Sequence, residues 1–207
     1  MKKLCFKFLV LPGFLALLFA CSTTPEYHNP DATHSDNPSE RMVLKKYTIP
    51  NNGILQMQVP ESWRESVTTY EHQQFYTLTF WPRTGDDFKV SVNVHAPGPR
   101  KRGPETEVSR QMFMEAMFRQ ILLPHCEEKE ITSQKFSGAA GFGWFFSLTD
   151  TRIKAGERTP GQYRHQTYGN YLVNGDLLDL MIESYEKEDD TISQTLDMLK
   201  SAAKASK

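Results

Sequence analysis

Residues 163–185 read YRHQTYGNYLVNGDLLDLMIESY. Two strand-like runs, 163–173 and 177–185, flank Asn174-Gly175-Asp176. Asn-Gly between such runs signals a β-hairpin, because both central residues of the favoured tight turn need positive φ. In the second run Leu178, Leu180 and Ile182 alternate with Asp179, Met181 and Glu183. Period two with one apolar face marks a strand half-buried on a core.

The same period recurs upstream. In ILQMQVP (54–60), Leu55, Met57 and Val59 alternate with Gln56 and Gln58. In FYTLTFW (75–81), Tyr76, Leu78 and Phe80 alternate with Thr77 and Thr79. In FKVSVNVH (88–95), Phe88, Val90, Val92 and Val94 alternate with Lys89, Ser91 and Asn93. The link between the last two, PRTGDD (82–87), is short and turn-like, which favours an antiparallel pair. Phe142, Trp144, Phe146 and Leu148 share one face of a later strand. The glycines just before it, in SGAAGFGW (137–144) and including Gly141 and Gly143, read as a turn or bulge.

Two helices punctuate the strands. Gly103-Pro104 opens a helix over Glu105–Leu123, and Pro124 stops it. Its apolar residues Met112, Phe113, Met114, Met117, Phe118, Ile121 and Leu122 spread widely around the axis, and Glu115–Arg119 is an i,i+4 pair. At the C-terminus Thr191-Ile192-Ser193-Gln194 has capping-box spacing. Ile192, Leu196, Leu199 and Ala203 form its apolar stripe. Asp189 and Asp190 suit the positive end of the dipole, and Lys200, Lys204 and Lys207 the negative end. Strands, helix, strands, helix predicts an α+β domain: an antiparallel sheet of about six to eight strands packed with two main helices.

The strand ending in Val59-Pro60-Glu61-Ser62-Trp63, the central helix, and the final hairpin followed by a capped helix resemble the Mog1/PsbP-like fold. The resemblance covers residues 42–204 and is shared by many small bacterial lipoproteins. It implies an assembly or accessory protein without catalytic machinery, and it carries over no functional residue.

The N-terminus reads as an export signal. Lys2, Lys3 and Lys7 precede the uncharged run FLVLPGFLALLFA at 8–20. Thirteen residues interrupted by Pro12-Gly13 are too few to span a bilayer, which takes about 20. The run ends in Leu18-Phe19-Ala20-Cys21, which resembles a bacterial lipobox, with Phe19 departing from its usual small residue. The resemblance implies cleavage before Cys21 and a lipid anchor of the palmitate class on it. Ordinary signal-peptidase cleavage is the alternative, although Leu18 is large for it. By the same resemblance, Ser22 after the cysteine implies a cell-envelope location, the outer membrane facing the periplasm in a Gram-negative source. Residues 22–41, rich in Pro, Asn, Ser, Thr and Asp, lack periodicity and read as a disordered tether carrying His28 and His34. The expected organisation is leader 1–20, lipidated Cys21 with its tether to 41, and one α+β domain over 42–207.

Composition bounds the function. The 207 residues are 39% hydrophobic and 24% charged, with 13 Phe, 8 Tyr and 3 Trp, ample for a globular core. Losing three lysines with the leader takes 24 bases to 21 against 25 acids, a formal −4, which argues against nucleic acid as a partner. Of Cys5, Cys21 and Cys126, only the last stays as a thiol in the mature chain, where burial is expected.

The sequence carries little sign of catalytic chemistry. GxSxG, P-loop and HExxH motifs are absent. His72, His95, His125 and His165 stand apart, and His125-Cys126 alone is short of a zinc ligand set. No metal, no cofactor and no catalytic residue is expected. A Cys–His dyad at Cys126 is the remaining enzymatic alternative. Asp86-Asp87 and Glu127-Glu128 read as solvated loop acids.

Two basic loops draw more notice. One holds Arg100, Lys101 and Arg102, the other Arg152, Lys154 and Arg158. Acids crowd the C-terminal hairpin at Asp176, Asp179, Glu183, Glu186, Glu188, Asp189 and Asp190. The six bases read either as solubilising charge or as a docking face for an anionic protein partner or lipid headgroups. The expected function is a lipid-anchored, non-catalytic binding or assembly factor. A carrier of a small apolar ligand or lipid, with a pocket beside the Met/Phe-rich helix, is the alternative.

Overall fold

The computed structural model describes residues 40–50, 52–70, 75–95, 115, 116, 118–187 and 190–205. The leader, Cys21, nearly all of the tether, Arg100, Lys101, Arg102 and most of the Met/Phe-rich helix lie outside these residues.

Ten strands are described: β1 (Met42–Ile49), β2 (Gly53–Pro60), β3 (Trp63–Tyr70), β4 (Phe75–Pro82), β5 (Phe88–His95), β6 (Gln134–Ser137), β7 (Gly141–Thr149), β8 (His165–Val173), β9 (Asp176–Ser184) and β10 (Ala203–Lys204). A C-terminal α-helix spans Asp190–Lys200. The strands form two antiparallel sheets, one of seven in the order β3-β4-β5-β9-β8-β7-β6 and one of three in the order β1-β2-β10. The class is α+β, as the patterning predicts, but sheet dominates and is split into two layers.

The hairpin at its centre forms as the Asn-Gly signal requires. Asn174 has φ 48° and Gly175 has φ 86°. This fixes the register His165↔Ser184 through Val173↔Asp176. Leu178, Leu180 and Ile182 are at most 3% exposed. A slip by one residue would trade them for Asp179, Met181 and Glu183, losing about 1.5–3 kcal/mol for each buried side chain.

The core fills the space between one face of the large sheet and a cover made by the small sheet and the C-terminal helix. Val90, Val92, Leu78, Phe80 and Tyr171 meet Leu55, Met57, Val59, Met198 and Leu199 there. The Pro60-Glu61-Ser62-Trp63 turn carries the chain from one sheet to the other. Trp63 then packs 4.9 Å from the Phe88 ring and 6.1 Å from Phe80. On the opposite face a smaller cluster joins Phe118, Ile131, Phe146, Leu148 and Tyr168.

Three expectations are corrected. Ser91 and Asn93, predicted for a solvent face, are only 8% and 6% exposed, because the sheet is covered on both sides. Gly141 and Gly143 lie inside β7, and the turn occupies the residues just before it. Ala203 and Lys204 belong to β10 and not to the helix: Ser201 bonds back to the Met198 carbonyl at 2.6 Å and its Oγ accepts from Gln58 N at 2.8 Å. Residues just before β1 bond to the turn that follows β2. Glu40 Oε1 accepts from Ser62 N at 3.0 Å, and the Arg41 carbonyl accepts from Glu61 N at 2.8 Å.

Candidate functional site

Chemistry-bearing side chains gather at one end of the large sheet, where β4, β7 and β9 finish and β5 and β8 begin. The 150–164 connection lies here and holds three of the bases singled out by sequence. Arg152 is clamped on Asp150: Nε donates to Oδ1 at 2.9 Å and Nη2 to Oδ2 at 2.6 Å. The Arg152 amide also donates to Asp150 Oδ1 at 2.8 Å, closing a local turn. Burial works to raise the Asp150 carboxyl, but the bonds from Arg152 outweigh it and hold the group below the usual carboxylate range. Arg158 meets Asp87 at 3.5 Å and also Glu186, with its guanidinium 5.3 Å from the Tyr185 ring centre. Lys154 is exposed.

Arg152 and Arg158 are therefore matched by acids of their own chain. β5 ends at His95, at the opposite end of the sheet from the 150–164 connection. Arg100, Lys101 and Arg102 lie beyond His95, outside the described residues.

Sequence reading passed over the tyrosines between these charges. Tyr163 and Tyr185 pack with ring centres 4.9 Å apart. The Tyr185 hydroxyl lies 3.1 Å from Asp86 Oδ2 and 3.0 Å from the Thr159 carbonyl. Burial and the Asp86 carboxylate push Tyr185 up to about 12. Hairpin pairing alone does not predict the contact: the register extended past His165↔Ser184 sets Tyr163 opposite Glu186, on the other face from Tyr185, and the two rings meet because both lie just beyond the paired strands.

Beside this cluster, Glu128 caps the end of β7, accepting from Thr149 N at 2.8 Å and from Thr149 Oγ1 at 3.0 Å. Arg164 pairs with Glu127. The acids read as solvated are thus structural partners. Cys126 is half-buried, and its thiol donates to the Leu122 carbonyl at 3.2 Å. Burial, then Glu128 and Asp150, push the thiol up to about 11. This is the reverse of what a nucleophilic dyad needs. Native Cys126 is expected to react with iodoacetamide at neutral pH about a hundredfold more slowly than after unfolding, since each unit of pKa removes tenfold of thiolate. Equal rates would show that the thiol is not suppressed.

On the covered polar face of the sheet, Lys89–Glu183 at 3.1 Å and His95–Asp179 at 2.6 Å join β5 to β9 near either end. Between them Thr77 Oγ1 donates to Asn93 Oδ1 at 2.6 Å. Such cross-strand pairs contribute about 0.2–1 kcal/mol each to strand pairing. Among the described residues, no three His, Cys, Asp or Glu side chains converge as a metal ligand set would. A concavity of about 330 Å³, open to solvent, is lined by the charged residues Glu40, Arg41, Glu61 and Arg83 together with Ser62.

No protein-family model matches the chain. No curated protein matches it either. Among solved structures it is similar to the solution structure of cyanobacterial PsbP (CyanoP) from Synechocystis sp. PCC 6803, with 12% identity, a TM-score of 0.47, and coverage of 84% of this chain and 98% of that one.

Proposed function

We propose that the chain is a lipid-anchored cell-envelope protein whose α+β domain binds another macromolecule and performs no chemistry of its own. The domain is taken as Mog1/PsbP-like, on the sequence resemblance above. The reading rests chiefly on the closed core: Phe80, Leu55, Met57, Leu78, Leu178 and Tyr171 are all at most 1% exposed and pack against one another between the layers. A carrier needs an apolar cavity of about 300 Å³ or more. Among the described residues, the concavity at Glu40 has that size but is lined by charged side chains and open, while most of the Met/Phe-rich helix lies outside those residues. Attachment through Cys21 is supported by Leu18-Phe19-Ala20-Cys21 at the end of the short apolar run. Docking through the bases falls to Arg100, Lys101, Arg102 and Lys154, since Arg152 and Arg158 already have acidic partners.

The test is crosslinking in intact cells followed by purification from membranes. The natural chain is expected to label with fatty acid and to retain one defined protein partner. Cys21→Ala should lose the label and leave the membrane fraction. Arg100→Ser with Lys101→Ser and Arg102→Ser should keep the label and lose partner yield, most steeply at raised salt, because exposed charges are screened over about 8 Å at physiological ionic strength. A chain that co-purifies with lipid and no protein sinks the binding-factor reading in favour of a carrier.

A further inference from the structure

We propose that the free edge of β3 pairs with β3 of a second copy, giving a two-fold dimer with a continuous sheet of fourteen strands. The large sheet has two edges. At one, β6 is four residues long. At the other, β3 is eight residues long and, among the described residues, is hydrogen-bonded along its length to β4 alone. Arg64 through Thr69 are all exposed, Val67 at 45%.

Natural edges are guarded by lysine, proline, bulges or shortness. β1 carries Lys45-Lys46 at mid-strand, and β10 is two residues long. β3 has charge only at Arg64 and Glu65, and Ser66-Val67-Thr68-Thr69 is uncharged and mostly β-branched. β1 does not cover this edge. It lies over the face of β3, where Lys45 reaches Glu65 at 3.1 Å and Tyr47 donates to Glu65 at 2.5 Å.

Backbone parity fixes the register. Arg83 N donates to the Ser62 carbonyl at 2.9 Å, and Pro82, opposite Trp63, has no N–H to give. Hydrogen-bonded pairs with β4 therefore fall at Arg64, Ser66 and Thr68, and Trp63, Glu65, Val67 and Thr69 aim their N–H and C=O groups outward. In a two-fold antiparallel pair, only the register centred on Ser66 uses all four. It sets Trp63 opposite Thr69 of the second copy and Glu65 opposite Val67. No like charges face each other, because Arg64 meets Thr68. Centring on Glu65 instead would oppose two carboxylates and lose a pair.

The test uses the full chain in detergent with Cys5, Cys21 and Cys126 replaced by Ser. In the proposed register Ser66 and its copy form a non-hydrogen-bonded pair with Cα atoms about 4.5 Å apart. Thr68 and its copy stand four residues out of register, about 14 Å apart. Ser66→Cys is expected to form an intermolecular disulfide about tenfold faster than Thr68→Cys, whose separation is beyond disulfide reach. Two changes at Val67 then give opposite signs. Val67→Lys places a cation opposite Glu65 of the second copy and should raise the Ser66→Cys crosslinking rate about threefold, while Val67→Glu should lower it by a similar factor. Misfolding would move both in one direction. Equal rates for Ser66→Cys and Thr68→Cys, or shifts of the same sign at Val67, would overturn the pairing.

Discussion

Gly143→Ala is expected to destabilise the domain by about 3 kcal/mol, an overpacking cost at the upper end of the usual range. At about 2–4 °C per kcal/mol for a domain of this size, the melting temperature should fall by about 6–12 °C. Intrinsic preference points the other way, since glycine inside a strand is worse than alanine by about 0.5–1 kcal/mol. The environment decides the sign. Phe136, Gly143 and Tyr171 are register partners across β6, β7 and β8. Strands two apart stand about 9.6 Å from one another. The Phe136 and Tyr171 rings nevertheless stack with centres 5.2 Å apart and 19° between planes, closing over the position where Gly143 lacks a side chain. A Cβ there would lie 2.1 Å from the Asn170 carbonyl oxygen and 2.8 Å from two Phe136 ring atoms. The backbone contact cannot be relieved by rotating a side chain. Thermal melting followed by near-ultraviolet circular dichroism reads both the stability and the ring stack. An unchanged or raised melting temperature would show that β7 has room at this point.

The same glycine shows where sequence reading stops. Alternation at Leu178, Leu180 and Ile182, and at Val90, Val92 and Val94, exposes strands because side chains on one face share one core. Asn174-Gly175 exposes the hairpin because few residues adopt positive φ in succession. These are local signals, each held within a few residues. The demand for glycine at 143 comes from Phe136 and Tyr171, which lie on other strands, so the residue reads locally as a loop former. β3 escapes for a related reason: at an exposed edge neither face of WRESVTTY is selected for burial, and no period develops. Ser91 and Asn93 look like solvent positions because small polar residues suit both water and a covered sheet. At the loop end, Arg152 and Arg158 are legible as charge, but Asp150, Asp87 and Glu186, which neutralise them, come from three separate connections.

Lys204→Ala is expected to cost about 2–3 kcal/mol, below the 3–5 kcal/mol of a fully buried broken pair because Lys204 is itself partly exposed. Asp176 is 2% exposed, immediately after the Asn174-Gly175 turn. Lys204 Nζ lies 3.1 Å from its Oδ2 and 3.0 Å from Asn52 Oδ1, and the Lys204 amide approaches Asn174 Oδ1 at 3.4 Å. One side chain thus ties the last strand to the β1–β2 and β8–β9 turns, while its backbone pairs with Leu55. Removing the ammonium leaves a carboxylate that water barely reaches. A lysine acting only on the helix dipole would contribute about 0.3–1 kcal/mol, so the size of the loss separates the two roles. Coupling separates them further. Asp176→Asn with Lys204→Met removes both charges and keeps the bulk, and it should be more stable than Lys204→Ala alone. Against the dipole, Asp176→Asn would recover nothing. Urea unfolding of Lys204→Ala, Asp176→Asn and the double variant reads the difference directly. Additive losses would mean that Asp176 does not depend on Lys204, and that the C-terminal strand is held by its backbone pairing with β2 alone.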